Sequence, residues 1–550
     1  MLHERVALLI ISGLVGMLGA ADESKIHSTT LELGRREGGD VRVWVFFVNP
    51  NQSSEIPVEW IDSLRSLGVS IRHVSPWLHA ASCELEEGLF PEVTELAFIQ
   101  EIQPMLQLSP PPVFVGNNPS TTQLRRSTVL DYGSSYDQLA MINVPAVHDL
   151  GYTGSGVTVL IIDSGFYLGH ESIRSAHIID QYDFLFSDDT VDNEPGEDVF
   201  SQNNHGTSVL SVLGGYLPGR IIGPAYRANY LLAKTESTDF EDIVEEDNLV
   251  ASLEWGVARG ADIASISLGY LDWYTPDQMD GMTAITTLAV REATRQGLLV
   301  VAAAGNTRND PYLPEWNGQV NAPADADSIL SVGATRADSL IASFSSHGPT
   351  ADGRIKPEVV APGVNIYTAS ASGSQVYHTV SGTSVSTPLV AGVAAMILEA
   401  HPDWTPLQVR EALMATAHKA PRPDNIYGWG IIDALAAIEY RIPHVNDPPY
   451  ILRIYPNPFT AGVSSYLTID WGVTLHVPVQ AAIRLDLYDL LGRHLITLDE
   501  RANLPLGLLP PIATAWRGTD KYGQPVPSGV YIIRLMAGVN IDASTLTIIH

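Results

Sequence analysis

The sequence predicts an α/β protein: a mostly parallel sheet with helices on both faces, a small α+β domain before it and a β-sandwich after it. Three observations predict this. The segments Val157-Thr158-Val159-Leu160-Ile161-Ile162 and Leu298-Leu299-Val300-Val301-Ala302-Ala303-Ala304 are unbroken apolar runs, as strands buried on both faces require. Thr387 to Met396 is a run of small and apolar residues that reads as a buried helix. The pattern then changes at either end of the chain. Strands and helices mix before residue 107, and beyond Asn446-Asp447-Pro448-Pro449 short alternating strands are separated by turn signals.

The elements follow in chain order. A length of 550 residues suggests several domains, each with ample core. Residues 1–21 read as a secretory signal peptide. Met1 to Arg5 is a short polar start, Val6 to Leu18 is apolar, and Gly19-Ala20-Ala21 supplies small residues before Asp22. That apolar run is too short for a spanning helix, the alternative being an uncleaved anchor, and no other stretch approaches about 18 apolar residues. Residues 22–107 hold a small domain with the order βαββαβ: strand 41–48, helix 58–64, strands 69–74 and 78–85, helix 89–97 and strand 99–106. Residues 108–130 form a linker whose Pro110-Pro111-Pro112 and Arg125-Arg126 look exposed and open to cleavage. The main domain covers 131–442, a second linker 443–450, and the β-sandwich 451–550.

Composition excludes some functions. A net charge of −31 argues against nucleic acid or an anionic membrane as partner, since phosphate binding needs a basic face. Cys83 is the single cysteine, so no intrachain disulfide and no cysteine metal cluster can form.

Four candidate functional residues stand at element boundaries of the main domain. Asp163 ends the first buried run, at the carboxyl end of a predicted parallel strand, where open sheets place their sites. His205, in Asn204-His205-Gly206-Thr207-Ser208, opens an apolar helix running to about Gly214. Asn306 follows Gly305 after the second buried run, and its amide can donate to an oxyanion. Ser384, in Ser381-Gly382-Thr383-Ser384-Val385, precedes the small-residue helix, so helix N–H groups lie beside its hydroxyl. Each has an ordinary alternative: a turn-forming Asp, a helix-capping His, a turn-satisfying Asn, a Ser in a plain turn. Four such features in one order argue for a joint site.

Together, Asp163-Ser164-Gly165, His205-Gly206-Thr207-Ser208, Ala303-Ala304-Gly305-Asn306 and Gly382-Thr383-Ser384 resemble the subtilisin-like serine proteases, the subtilases. Ser265-Ile266-Ser267-Leu268-Gly269, Phe344 to Thr350 and Tyr427 to Ala434 are similar to further segments of that family. The resemblance covers about residues 130–440. It departs at Val385, Ser386 and Leu389, where methionine, alanine and histidine are usual, and none of these changes removes a group the reaction needs. The resemblance implies a subtilisin-like sheet and a secreted serine endopeptidase acting on proteins or peptides. Ser384 would be nucleophile, His205 general base and acid, Asp163 its orienting partner, and Asn306 an oxyanion donor. It makes Ser267-Leu268-Gly269 and Ala302-Ala303-Ala304 walls of the pocket for the residue before the scissile bond, with Gly305 also substrate-binding and Asn321 near the floor. No acid stands at those wall positions, although Asp325 and Asp327 are near in sequence, so broad or apolar specificity is expected. Pro323 holds a position where the family often has a cis peptide.

Position and element order make the 22–107 domain similar to subtilase propeptides, which act as folding chaperone and inhibitor, so a zymogen is implied; a plain accessory domain is the alternative. Tyr455-Pro456-Asn457-Pro458-Phe459, the strand and turn from Ile483 to Arg493, Trp516-Arg517-Gly518 and Val526 to Leu535 look like the C-terminal Ig-like sorting domains of bacterial type IX secretion. That resemblance implies passage through the periplasm and release or attachment at the bacterial cell surface, with the type IX machinery as a partner. The terminal Ile548-Ile549-His550 lacks the usual lysine, and a plain Ig-like module is the alternative. No cofactor is required. The stretch Asp188 to Asp198 offers oxygen ligands that suit Ca²⁺, but its spacing fits no EF-hand and it reads better as a solvated loop, so structural Ca²⁺ is left unplaced and no metal ligand is assigned. A catalytically silent surface protein keeping this fold is the reading from another functional class.

Overall fold

The computed structural model describes residues 40–49, 55–104, 107–108 and 130–440 apart from 239–240, 243 and 272. It also describes 450–549 apart from 461–465, 473, 476–482, 491, 502–506, 509–511, 521–523 and 538–539. The signal peptide and nearly all of both linkers fall outside the described residues. Tyr450, assigned above to the second linker, opens a strand.

The chain divides into two compact units, the first made of residues 1–112, 184–186 and 235–255. Its four antiparallel strands are Asp40–Phe47, Ser70–Ser75, Ala80–Glu86 and Ile99–Pro104, in the spatial order second, third, first, fourth. Val41, Val43, Val45 and Phe47 alternate onto one buried face. Leu64 of the helix Val58–Ser66 and Phe90 and Val93 of the helix Phe90–Thr94 complete that core. The second helix is shorter than the expected 89–97. Pro91 fixes its start, and the Thr94 hydroxyl donates back to the carbonyls of Phe90 and Pro91 as the chain turns away.

The second unit is built on seven strands: β1 (Thr158–Asp163), β2 (His177–Asp183), β3 (Asn229–Lys234), β4 (Ile263–Ile266), β5 (Leu299–Ala303), β6 (Leu330–Thr335) and β7 (Val359–Pro362). They run β7-β6-β5-β4-β1-β3-β2, and every pairing is parallel. Strands β1 and β4 to β7 are buried throughout, which explains their unbroken apolar runs. The strand order reverses between β1 and β4, and such a switch point leaves a crevice beyond the carboxyl ends of the strands.

The helices that matter are α1 (Asn204–Gly214), α2 (Val244–Ala258), α3 (Ile285–Arg295), α4 (Thr383–Ala400) and α5 (Pro406–Ala415). Val159 and Ile161 of β1 share a core with Val209 and Leu213 of α1 and Val390, Val393 and Ala394 of α4. Leu160 points the other way, against Gly256 of α2. Helix α4 corrects the reading that no other stretch could span a bilayer: its 18 residues have a mean hydropathy of 1.4. Yet Thr383 through Ile397 are buried in the protein's own core, so that hydropathy reflects a central helix.

Beyond residue 450, strands Tyr450–Tyr455, Leu467–Gly472 and Ile512–Trp516 form one sheet. Phe459–Thr460, Ile483–Asp489, His494–Arg501, Gly529–Ala537 and Asn540–Ile549 form another, antiparallel except where Phe459–Thr460 runs parallel to the last strand. Ile469 and Trp471 from the first sheet pack with Leu485, Ile533 and Leu535 from the second, a two-layer core.

Candidate active site

Asp163 is the last residue of β1 and is fully buried. Its Oδ1 accepts hydrogen bonds from the Ser164 backbone N–H at 2.8 Å and from His205 Nδ1 at 2.8 Å. His205 sits in the first turn of α1. Gly206 beside it lets the helix close on β1, since a Cβ there would lie 2.3 Å from the Gly165 carbonyl oxygen and 3.1 Å from Asp163 Cβ. A hydrogen bond from Nδ1 to a carboxylate places the imidazole proton on Nδ1 and leaves Nε2 as the basic nitrogen. Burial disfavours the charged imidazole, but the Asp163 charge and hydrogen bond outweigh it and hold the His205 pKa above its ordinary value.

Ser384 lies in the first turn of α4 after Gly382, where backbone N–H groups have no helical acceptor. Asn306 is tied to the same turn: its Oδ1 accepts from the Thr383 backbone N–H at 3.0 Å and from Thr383 Oγ1 at 3.2 Å, and Thr383 Oγ1 accepts from Gly305 N–H at 3.2 Å. With Oδ1 so engaged, Nδ2 is left on the side of Ser384 Oγ. A Cβ on Gly382 would sit 3.0 Å from Ser384 Oγ and 3.7 Å from Asn306 Nδ2. Among the described residues no hydrogen bond joins His205 Nε2 to Ser384 Oγ. In sites without substrate this bond is commonly long and tightens when substrate binds. An oriented imidazole, a hydroxyl at a helix N-terminus and an amide donor beside it can take a proton, attack a carbonyl and hold an oxyanion.

Sequence reasoning missed one support. Pro388, four residues after Ser384, has no N–H, so the Ser384 carbonyl lacks its helical donor. Ser267 Oγ supplies it at 2.8 Å. The proline in the helix run was the available signal, but its partner comes from the end of β4, more than a hundred residues away.

Ser267, Leu268 and Gly269 extend past the end of β4, and Ala303 and Gly305 lie at the end of β5. Both segments therefore stand at the crevice edge. Asn321 is drawn to them by the paired backbone bonds between Tyr270 and Ala322, 2.8 and 3.2 Å. The bond between Ala322 and Pro323 is cis. The two acids near Asn321 in sequence are engaged elsewhere. Asp325 accepts from Gly281 N–H at 2.8 Å and Thr287 Oγ1 at 2.5 Å, and Asp327 pairs with Arg291 at 3.0 Å.

In the acidic loop, Asp188, Glu194 and Glu197 bring carboxylate oxygens within 4.8 Å of one another. Lost hydration and the charges of Asp188 and Glu197 push the Glu194 carboxyl up. Asp198 instead turns to the buried Lys234 ammonium, which it shares with Asp183 at 2.7 Å each.

Residues 154–430 match the model of the subtilase family. The chain is 35% identical to the serine protease AprX of Bacillus subtilis over 318 residues, covering 51% of this chain and 66% of AprX. It is 33% identical to a subtilisin of Bacillus pumilus over 303 residues, 55% of this chain and 98% of that one. To subtilisin E of Bacillus subtilis it is 32% identical over 301 residues, 55% of this chain and 70% of that one.

Proposed function

The chain belongs to the subtilase family and is a subtilisin-like serine endopeptidase, and on that premise we propose which side chains do the chemistry and how the enzyme is made and exported. Ser384 Oγ attacks the carbonyl carbon of a bound peptide while His205 Nε2 takes its proton. Asn306 Nδ2 and the Ser384 backbone N–H receive the oxyanion. The tetrahedral species collapses, the leaving amine takes the proton from His205, and an acyl-enzyme remains. Water then repeats the sequence and frees Ser384. This follows the Ser-His-Asp template, of which subtilisin is a standard example. Asp163 keeps the imidazole in one tautomer and stabilises its charged form. The observation that carries the reading is the 2.8 Å bond from His205 to a fully buried carboxylate at the end of β1.

The reaction calls for no cofactor. Structural Ca²⁺ has no assigned place.

The enzyme is a zymogen in this reading, with residues 22–107 as chaperone and inhibitor. Two features of the first unit support this: the βαββαβ order, and the short antiparallel pairing of Gln107 and Leu108 with Asp242 and Glu241. A segment leaving the domain as an added strand is suited to occupy a cleft. The signal segment 1–21 and the two-layer domain from residue 451 support export through the periplasm by the type IX route, with the product released or held at the cell surface. Secreted material tests both ideas. Wild-type enzyme should lack residues 22–107, Ser384→Ala should retain them, and a reporter fused to 451–550 should leave a host that has the type IX machinery. Identical N-termini in wild type and Ser384→Ala would overturn self-processing, and a retained reporter would overturn the export route.

A further inference from the structure

The crevice beside Ser384 contains a polar group that the acyl-transfer chemistry does not use. Asn321 is 4% exposed. Its Oδ1 is buried and lacks a hydrogen-bond partner. A buried carboxamide oxygen that accepts no hydrogen bond is costly and uncommon. Its place is defined by two glycines. A Cβ on Gly269 would fall 2.4 Å from Asn321 Nδ2, and one on Gly305 (φ +105°) would fall 2.7 Å from Asn321 Oδ1. The two strand ends thus leave a space between them, and the Asn321 amide occupies it.

That space adjoins the nucleophile. Ser267, two residues before Gly269, donates to the Ser384 carbonyl, and Gly305 N–H donates to Thr383 Oγ1. A side chain next to the scissile bond that enters here meets an amide that both donates and accepts. Which end of the amide faces outward does not alter the argument, because a hydroxyl or carboxamide partner can both donate and accept.

We propose that Asn321, set between Gly269 and Gly305, selects short, uncharged, hydrogen-bonding side chains, those of Ser, Thr and Asn, for the residue before the scissile bond, in place of the broad or apolar preference expected from sequence. The proposal rests on Ser384 being the nucleophile. A substrate Leu or Phe leaves the amide unmet as water is expelled, and a Phe ring also collides with it. Sites built around a hydrogen bond reject apolar analogues far better than apolar pockets reject polar ones.

The test uses the processed full-length enzyme and peptides that differ only at that residue: Asn, Ser, Leu or Phe. Rates are normalised to active sites counted with a fluorophosphonate. The wild type should show kcat/KM for Asn roughly 10- to 100-fold above that for Leu, which is close to it in size. Asn321→Val should abolish that ratio, and Asn321→Gly should raise cleavage after Phe. Leu or Phe equal to or better than Asn in the wild type would overturn the proposal, and this comparison needs no variant to fold. Should a variant label poorly, Asn321→Ser, which keeps a hydrogen-bonding group, serves in its place and should retain a preference for Asn over Leu. A wild type that fluorophosphonate does not label removes the nucleophile reading, and this proposal with it. Labelling without preference for Asn removes this proposal alone.

Discussion

In the proposed mechanism Ser384 and His205 act as one device, so removing either should cost as much as removing both. Ser384→Ala and His205→Ala should each lower kcat about a million-fold, a size taken from the same pair in subtilisin, and the double variant should be no worse. Asn306→Leu should cost about 10²- to 10³-fold in kcat, again the effect known for subtilisin. Burst-free steady-state rates on one peptide would measure all four. The pH profile reports His205 directly. Catalysis needs the neutral imidazole, and Asp163 holds the pKa up, so kcat/KM rises with pH through a value above the ordinary 6.5. Asp163→Asn removes the charge but leaves the burial, so the surviving activity should show its acid limb shifted to lower pH. An unmoved limb would mean that another group controls it. The places of these four residues were legible because each motif marks an element boundary locally: a carboxylate ending an apolar strand, a histidine opening a helix, an asparagine just after a strand, a serine at a helix start. The unpartnered Asn321 Oδ1 was not legible, since its surroundings come from Gly269 and Gly305, which are distant in sequence.

At the scale of elements, α4 was readable from its small apolar run, while what supports its first turn was not. The Ser267 hydroxyl completes a carbonyl that Pro388 leaves bare. Ser267→Ala should therefore destabilise the protein by about 1–3 kcal/mol, the cost of an unmet buried acceptor, and lower kcat more than it raises KM. Thermal denaturation and steady-state kinetics on the purified variant would check both. The first unit carries a pH dependence of its own. Asp247 and Glu254, two turns apart on α2, meet the small domain's sheet: Asp247 accepts from Ser82 Oγ at 2.5 Å, and Glu254 pairs with His73 at 3.1 Å and accepts from Ser75 Oγ at 2.6 Å. Arg72 also lies 3.5 Å from Asp247 and 3.8 Å from Glu84. Burial opposes the charge on His73, but the Glu254 hydrogen bond and the Asp247 and Glu254 charges raise its pKa. Burial raises Asp247 against the pull of His73, Ser82 and Arg72. A raised pKa in the folded state means stability that is present at low pH and lost as pH climbs through the folded value. Both groups thus have the same sign. Hydrogen exchange in Ser70–Ser75 and Ala80–Glu86 should quicken as pH climbs above His73's ordinary 6.5, and His73→Gln should flatten the upper part of that change. Exchange independent of pH, after correction for intrinsic chemistry, would contradict this.

For the whole molecule, the parallel sheet was legible in the sequence, because strands buried on both faces read as unbroken apolar runs. The spatial order of the strands, and so the switch point between β1 and β4 where the site lies, could not be read. Strand order arises from crossovers that join residues far apart, and no local pattern records it. The membrane reading shows the same limit: hydropathy alone does not distinguish α4 from a spanning helix, and only the packing around it does. The central claim is that Asp163, His205 and Ser384 make one proton-transfer line in the finished enzyme. Its most direct test is labelling of processed protein with a fluorophosphonate, read by mass spectrometry of the tagged peptide. The account predicts a single tag on Ser384 that is lost in Ser384→Ala and nearly lost in His205→Ala. A tag that persists in Ser384→Ala, or processed wild-type protein that takes no tag, would contradict it.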